Sequence, residues 1–389
     1  MDKVKILSVD DESDLELLLT QYFRRKIRKG EYEFTFAHNG LEALEILLKH
    51  KDFDIILSDI NMPEMDGLTL LTKINEMQNP ALKCIMVSAY GDMGNIRQAM
   101  NNGAFDFATK PIDLDDLSVT IEKAITQIEY IRKMELEHKQ LEGIKDDLAV
   151  AAHIQQSILP RIFPPFPDCV DKLDIAASMN AAKDVGGDFY DFFRIDDDHI
   201  GIVMADVSGK GIPAAIFMAV SRTVIRTTAL QGMSPAACIS HSNDLIAKES
   251  YDSMFVTVFY GIYDIKTGEI TYCNAGHNAP CILRKNGEVK PLPDSTDLVV
   301  GILEGFEYTE ETCRLEPGET LFTFTDGVSE AMNVNFEMFG DDRLQATLSE
   351  VPLNNCQQII DAMAADVATF TKGAEQSDDI TMLALKRLA

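Results

Sequence analysis

Acidic residues fall where this chain could hold cations. Asp10 and Asp11 follow one short apolar run and Asp59 follows another, while Ser88 closes a third and Lys110-Pro111 follows a fourth. Three carboxylates brought together repel one another unless a cation sits among them, and an all-oxygen set suits Mg²⁺. A carboxylate flanked by such an ion and a lysine ammonium can accept a phosphoryl group, because both cations offset charge developing on its oxygens. Each aspartate alone reads more simply as a loop cap. The combination does not.

A second acidic set lies beside glycines: Gly186-Gly187-Asp188-Phe189-Tyr190-Asp191, Asp206-Val207-Ser208-Gly209-Lys210-Gly211, Thr325-Asp326-Gly327 and Ser377-Asp378-Asp379-Ile380-Thr381. The 18 residues from Asp188 to Asp206 suit a hairpin that returns both carboxylates to one rim. Asp326 is expected to cap the strand Leu321–Thr325, and Asp378 to precede the final strand. Two adjacent divalent ions lower the pKa of a bridging water and neutralise phosphate oxygens, as phosphomonoester hydrolysis requires. Ser208-Gly209-Lys210-Gly211 is not a phosphate loop, since Gly211 replaces the Ser/Thr and Met204 stands where the leading glycine belongs. Asn274-Ala275-Gly276-His277-Asn278 has two readings: a histidine exposed enough to meet substrate, or a turn residue with local hydrogen bonds.

These groups need elements to position them. Val4–Val9, Phe34–Ala37, Asp54–Leu57, Cys84–Val87 and Phe105–Ala108 read as strands, separated by helical stretches over Leu15–Lys29, Leu41–His50, Leu68–Met77, Asn95–Asn101 and Leu114–Ile125. Ser13-x-x-Glu16 suggests a capping box and Asp113 an N-cap. Five βα units imply a doubly wound parallel sheet with functional groups beyond the carboxyl ends of its strands. From Pro167 onward the strands Leu173–Met179, Phe189–Ile195, Ile200–Ala205, Met254–Tyr263, Ile270–Asn274 and Thr320–Thr325 favour antiparallel pairing. Helices are expected at Pro213–Leu230, from Ser234-Pro235 onward and at Cys356–Phe370.

The expected division is 1–125, a helical linker over 126–155, and 156–389. In the linker Met134, Leu141 and Leu148 recur every seven residues, while Ile121, Ile125 and Ile128 follow a shifted frame. A coiled coil here would contain a discontinuity, and self-association would cover an apolar stripe that is marginal alone. A homodimer through the linker follows as an expectation. The net charge is −28, of which −18 falls in 156–389. That field repels phosphate backbones and anionic lipid, disfavouring nucleic-acid and membrane partners. The 389 residues contain seven scattered cysteines and no C-x-x-C, and the N-terminus lacks a signal-peptide pattern, so a reduced cytoplasmic protein is expected.

Residues 1–125 resemble a receiver domain of a two-component response regulator, with V-D-D-E, L-S-D-I-N-M-P-E-M-D-G, V-S-A-Y and F-A-T-K-P in order. The resemblance implies a CheY-like fold with Asp59 as phospho-acceptor and Mg²⁺ held by Asp10, Asp11, Asp59 and the main-chain carbonyl of Asn61. It also implies that Ser88 contacts the phosphoryl group, Lys110 pairs with it and Phe107 reorients, with Pro63 and Gly67 in the loop after the acceptor. A sensor histidine kinase is the implied partner.

From about Ala149 to Ala389 the chain resembles the metal-dependent PPM (type-2C) serine/threonine phosphatases, particularly their SpoIIE-like branch. The motifs A-A-x-I-Q-Q-S-I-L-P, V-G-G-D-F-Y-D, A-D-V-S-G-K-G-I-P-A-A, N-A-G-H-N, T-D-G-V-S-E-A and D-D-I-T carry it. The implied fold is an α/β sandwich of two antiparallel sheets flanked by helices. The implied catalytic residues are Asp188, Asp206, Asp326 and Asp378, which with the Val207 carbonyl would bind two Mn²⁺ or Mg²⁺ ions. Asp379 is a further candidate ligand, because paired aspartates leave the assignment ambiguous, and Lys183 or Lys210 is a candidate for holding phosphate. The function this implies is a response regulator controlling a protein phosphatase that acts on a phosphorylated anti-sigma-factor antagonist. The alternative is a phosphorylation-controlled adaptor that uses the phosphatase fold for binding. The retained acidic set argues against the adaptor.

Overall fold

All five residues of β3 (Ile55–Asp59) are buried, as expected for a parallel strand covered on both faces. The computed structural model describes residues 3–89, 92–249, 254–351 and 354–388. Contacts divide the chain into two units, Met1–Ile144 and Lys145–Ala389, so the break falls within the expected linker.

The first unit begins with β1 (Val4–Val9), α1 (Ser13–Tyr22), α2 (Arg24–Arg28), β2 (Tyr32–Ala37) and α3 (Gly40–Lys49). After β3 come α4 (Gly67–Glu76), β4 (Lys83–Ala89), α5 (Met93–Asn101) and β5 (Asp106–Lys110). The parallel sheet has the order β2-β1-β3-β4-β5. Tyr90 of the V-S-A-Y motif lies outside the described residues.

Two local expectations are corrected. The expected helix Leu15–Lys29 breaks at Phe23, whose backbone leaves the helical region (φ −86°, ψ 8°) while its ring is buried against Tyr32 and Phe34. Core packing outweighs helical continuity there. Ser13 is already helical, and the N-cap position belongs to Glu12, which makes no side-chain capping bond, so no capping box forms. Asp113 does cap: its Oδ1 accepts from the amides of Asp115 (3.0 Å) and Asp116 (3.2 Å).

The helix that Asp113 opens, α6 (Leu114–Ile158), is continuous. Its two apolar frames have different surroundings. Leu117, Ile121, Ala124 and Ile128 are buried with the first unit's strands, whereas Met134 and Leu141 are 49% and 58% exposed.

The second unit continues with β6 (Leu173–Asn180), β7 (Phe189–Arg194), β8 (His199–Val207), α7 (Ile212–Ala229) and α8 (Pro235–Glu249). Next come β9 (Val256–Asp264), β10 (Glu269–Ala275), β11 (Cys281–Leu283), β12 (Val289–Pro291) and β13 (Glu311–Arg314). It ends with β14 (Thr320–Phe324), α9 (Asp326–Ser329), α10 (Asp341–Glu350), α11 (Cys356–Phe370) and β15 (Ile380–Arg387). Two antiparallel sheets, β13-β10-β9-β8-β7 and β12-β11-β14-β15-β6, share one core, with Ile202 and Tyr260 of the first clustered with Ile175, Leu321 and Leu383 of the second. Met218, Ile225 and Ile239 of α7 and α8 join that cluster. Ile359, Met363 and Val367 of α11 pack against Phe322, Phe324 and Met382 in a second cluster. Asp326 does not end a strand as expected; it opens α9.

Candidate phospho-acceptor and active sites

β1, β3 and β5 bring the first acidic set together because parallel strands end on one side of the sheet. Asp10, Asp11 and Asp59 offer carboxylate oxygens that all lie within 4.8 Å of one another. The Lys110 ammonium is 2.7 Å from Asp59 Oδ2, 2.9 Å from Asp10 Oδ2 and 3.3 Å from Glu12 Oε1. Burial raises the Asp10 carboxyl above its ordinary range, opposed by the Glu12 amide and by Lys110. Lys110 is held above its usual value because hydrogen bonds from it to Asp59 and Asp10 outweigh its own burial. Two buried carboxylates and the exposed Asp11, with one ammonium beside them, form an all-oxygen set that fits a hard dication.

The Asn61 amide donates to Asp59 Oδ1 at 3.3 Å, fixing the loop after Asp59. Ser88 is fully buried at the end of β4, and its hydroxyl has no hydrogen-bond partner among the described residues. Phe107 is 36% exposed on β5. Gly67 is where α4 closes on the acceptor: a Cβ there would lie 2.1 Å from the Asp59 carbonyl oxygen.

The second acidic set is assembled from both sheets. Phe189 pairs with Ala205, and the same register one residue further places Asp188 across from Asp206. In the other sheet Phe324 pairs with Met382, which brings Asp326 beside the start of β15, directly after Asp378 and Asp379. The Thr325 hydroxyl links the two ends with a 2.6 Å hydrogen bond to Asp188 Oδ2. Gly327 permits the approach, since a Cβ there would lie 1.9 Å from the Asp379 carbonyl oxygen. The Val207 carbonyl lies against Gly187, 2.9 Å from where a Cβ would sit.

The charges act on one another. Burial, then the Asp206 charge, holds the Asp188 carboxyl well above its ordinary range, while the Thr325 hydroxyl opposes this. Asp206 is pushed up to about 7 by burial and then by Asp326, with a hydrogen bond from Asp188 opposing. Asp326 is pushed up to about 6 by burial and then by Asp378. Carboxylates raised in this way by one another are a donor set that dications would neutralise. This group is wider than the first: among the described residues only Asp10, Asp11 and Asp59 bring three such oxygens within 4.8 Å.

Lys210 reaches the rim, with Nζ 2.7 Å from Asp378 Oδ2 and a hydrogen bond to the Ser377 carbonyl, while Lys183 is exposed. Asp379 binds backbone: Oδ1 accepts from Ala182 N (2.8 Å), and Oδ2 accepts from Gly187 N (2.6 Å) and Asp188 N (3.4 Å). His277 is only 4% exposed, and its Nδ1 is 2.8 Å from the Thr257 hydroxyl. Burial lowers its pKa to about 4. Of the two readings of His277, the burial and the local hydrogen bonds favour the turn residue. Sequence reasoning gave no role to Thr325 or Gln155, although each lies within a motif that carries the family resemblance.

The fold and both acidic sites define a receiver unit joined to a PPM-type phosphatase fold. The response regulator receiver domain family matches residues 6–122, and the family described as stage II sporulation protein E (SpoIIE) matches residues 196–388. The chain is 30% identical over 255 residues to phosphoserine phosphatase RsbU of Bacillus subtilis, covering 64% of this chain and 74% of that protein. It is also 33% identical over 268 residues to protein IcfG of Synechocystis, covering 62% of this chain but only 41% of IcfG's length. The SiaA-PP2C domain of Pseudomonas aeruginosa shares the fold at a TM-score of 0.56 and 23% identity, covering 64% of this chain and 98% of that domain. This chain belongs to the SpoIIE-like branch of the PPM phosphatases, as a response regulator with a phosphatase output domain. Among the described residues, no helix is long and apolar enough to cross a membrane.

Proposed function

We propose that the chain is a metal-dependent protein-serine/threonine phosphatase whose activity is controlled by phosphorylation of Asp59. The observation that carries this reading is the convergence of Asp188, Asp206 and Asp326, each raised above its ordinary range by burial and by neighbouring acids. With Asp378 and the Val207 carbonyl they would hold two Mn²⁺ or Mg²⁺ ions. Such ions supply an activated water and neutralise phosphate oxygens. The chain's own residues orient the carboxylates: Thr325 holds Asp188, and Asp379 fixes the Gly187-Asp188 backbone. Lys210 is placed to meet a phosphate oxygen on leaving Asp378.

In the receiver, Asp10, Asp11, Asp59 and the Asn61 carbonyl would hold Mg²⁺, with Ser88 and Lys110 taking phosphoryl oxygens and Phe107 moving with them. A sensor histidine kinase is the phosphoryl source. The resemblance to the SpoIIE-like branch, and to a protein named phosphoserine phosphatase, supports a phosphorylated anti-sigma-factor antagonist as substrate in a partner-switching pathway. The exposed Met134 and Leu141 support homodimerisation through the linker.

The test is phosphate release from phosphoserine and phosphothreonine peptides with Mn²⁺ or Mg²⁺, comparing the native chain with Asp326→Asn. Native turnover with a loss of about 100-fold or more in the variant is expected. Equal rates would overturn the enzymatic reading. An unchanged rate on adding beryllofluoride would overturn control through Asp59.

A further inference from the structure

The last turn of α6 contains a buried polar side chain, Gln155, only 7% exposed. Its carboxamide holds the backbone of Gly186 on both sides of its Cα: Nε2 donates to the Gly186 carbonyl, in the peptide to Gly187, at 2.5 Å, and Oε1 accepts from the Gly186 amide, in the peptide from Val185, at 3.0 Å. Gly186 stands two residues before Asp188. On the other side of Asp188, the Tyr190 hydroxyl donates to the carbonyl of Pro160, just beyond the helix, at 2.9 Å. The segment around Asp188 is thus pinned to the helix end at two points, and Asp379 grips the Gly187 amide between them.

We infer that Gln155 is a positioning residue through which the end of the linker helix sets the place of Asp188. This rests on the reading of Asp188 as a metal ligand. Gly186 is closely packed, since a Cβ there would lie 2.3 Å from Asp379 Oδ2. A rotation or shift of the final turn of α6 therefore carries the Gly186 peptide with it. Asp188 is displaced through the Gly187 backbone that joins it to Gly186, and its carboxylate then shifts against the Thr325 hydroxyl that holds its other end. Two hydrogen bonds to the two peptide groups that flank the Gly186 Cα fix direction as well as distance, which a single apolar contact would not. The linker then acts on the candidate catalytic centre by altering its affinity for metal, and the fold can remain intact throughout.

The test uses the full chain carrying Asp10→Ala and Asp11→Ala, so that Mn²⁺ titrated by electron paramagnetic resonance reports the second site. Gln155→Leu should weaken Mn²⁺ binding about tenfold or more, the range for loss of a group that orients a ligand. Because the Gly186 amide and carbonyl lose their partner, its melting temperature in EDTA should fall by a few degrees, and the Mn²⁺ titration is run well below that temperature, where a merely structural role would leave the affinity unchanged. Gln155→Asn is too short to reach both peptide atoms and should also weaken binding, keeping the test valid if the leucine variant does not fold. Gln156→Leu, at the exposed neighbouring position, should bind as the parent does. In the chain with an intact receiver, Gln155→Leu should lose its rate response to beryllofluoride.

Mn²⁺ binding by Gln155→Leu and Gln155→Asn within about twofold of the parent would overturn the inference, as would an equal loss in Gln156→Leu. If the native chain binds Mn²⁺ but releases no phosphate from any phosphopeptide, the phosphatase reading falls and the Gln155 result still stands. If the native chain hydrolyses phosphopeptides and the Gln155 variants bind Mn²⁺ normally, only the inference falls.

Discussion

The Thr325 hydroxyl donates to Asp188 Oδ2 at 2.6 Å while accepting from the Thr381 amide at 3.1 Å. One side chain thus joins β14, β15 and the start of β7. Thr325→Val keeps the shape and removes both bonds, leaving a buried carboxylate and an amide unsatisfied. A loss of about 1–3 kcal/mol in urea unfolding is expected, together with a higher Mn²⁺ requirement for hydrolysis. Thr325→Ser should retain both properties, and native behaviour in the valine variant would contradict this account.

Stability should depend on pH in a direction set by the raised carboxyls. Asp206 at about 7 and Asp326 at about 6 keep protons in the folded chain that the unfolded chain releases near pH 4. The folded state therefore binds more protons between those limits, and stability falls as pH rises through them. In EDTA the melting temperature should drop by about 5–10 °C from pH 5 to pH 8, and Asp206→Asn should flatten the slope. Mn²⁺ should restore stability at pH 8. A melting temperature that rises over this interval in EDTA would refute the assignment.

Gly327→Ala tests close packing without removing a functional group. The added methyl would lie 1.9 Å from the Asp379 carbonyl oxygen, so α9 and the start of β15 must separate. Overpacking of this kind costs about 1–3 kcal/mol. Hydrolysis should fall much further than thermal stability, because Asp326 and Asp378 are carried on the separated segments. Native turnover in this variant would remove the requirement for close approach.

Lys110→Ala separates ion binding from signalling in the receiver. The ammonium lies 2.7 Å from Asp59 Oδ2 and 2.9 Å from Asp10 Oδ2, where it offsets charge that Mg²⁺ would otherwise meet. Its removal should tighten Mg²⁺ binding, measured by calorimetry, while abolishing the beryllofluoride response in phosphate release. Weaker Mg²⁺ binding would show that the lysine organises the carboxylates more than it competes with the ion.

The carboxylate positions were legible in the sequence because each adjoins one end of an apolar run, and a strand delivers the residues at its ends to the sheet's rim. The receiver was clearest, since parallel strands end together and the motifs at Asp10, Asp59 and Lys110 occur in strand order. The phosphatase strands were read where alternation or length announced them. Cys281–Leu283, Val289–Pro291 and Glu311–Arg314 were missed because three or four residues cannot display a period. The helix Asp341–Glu350 was missed because only Leu344 and Leu348 are buried on it. His277 stayed open between two readings because a glycine-bearing polar turn does not show its burial in sequence, and here its ring is buried against Thr257. The shifted frames of the linker became intelligible only once Ile121 and Ile128 were seen inside the first unit's core.

Lys210 is a tenant already in place at Asp378. Any dication arriving there has to evict a tethered ammonium whose local concentration never dilutes, so occupancy reports the balance between ion supply and a built-in rival. A dication bound as proposed at Asp378 therefore needs a higher free concentration for half-occupancy than the carboxylate alone would require, and removing the Lys210 ammonium lowers that concentration.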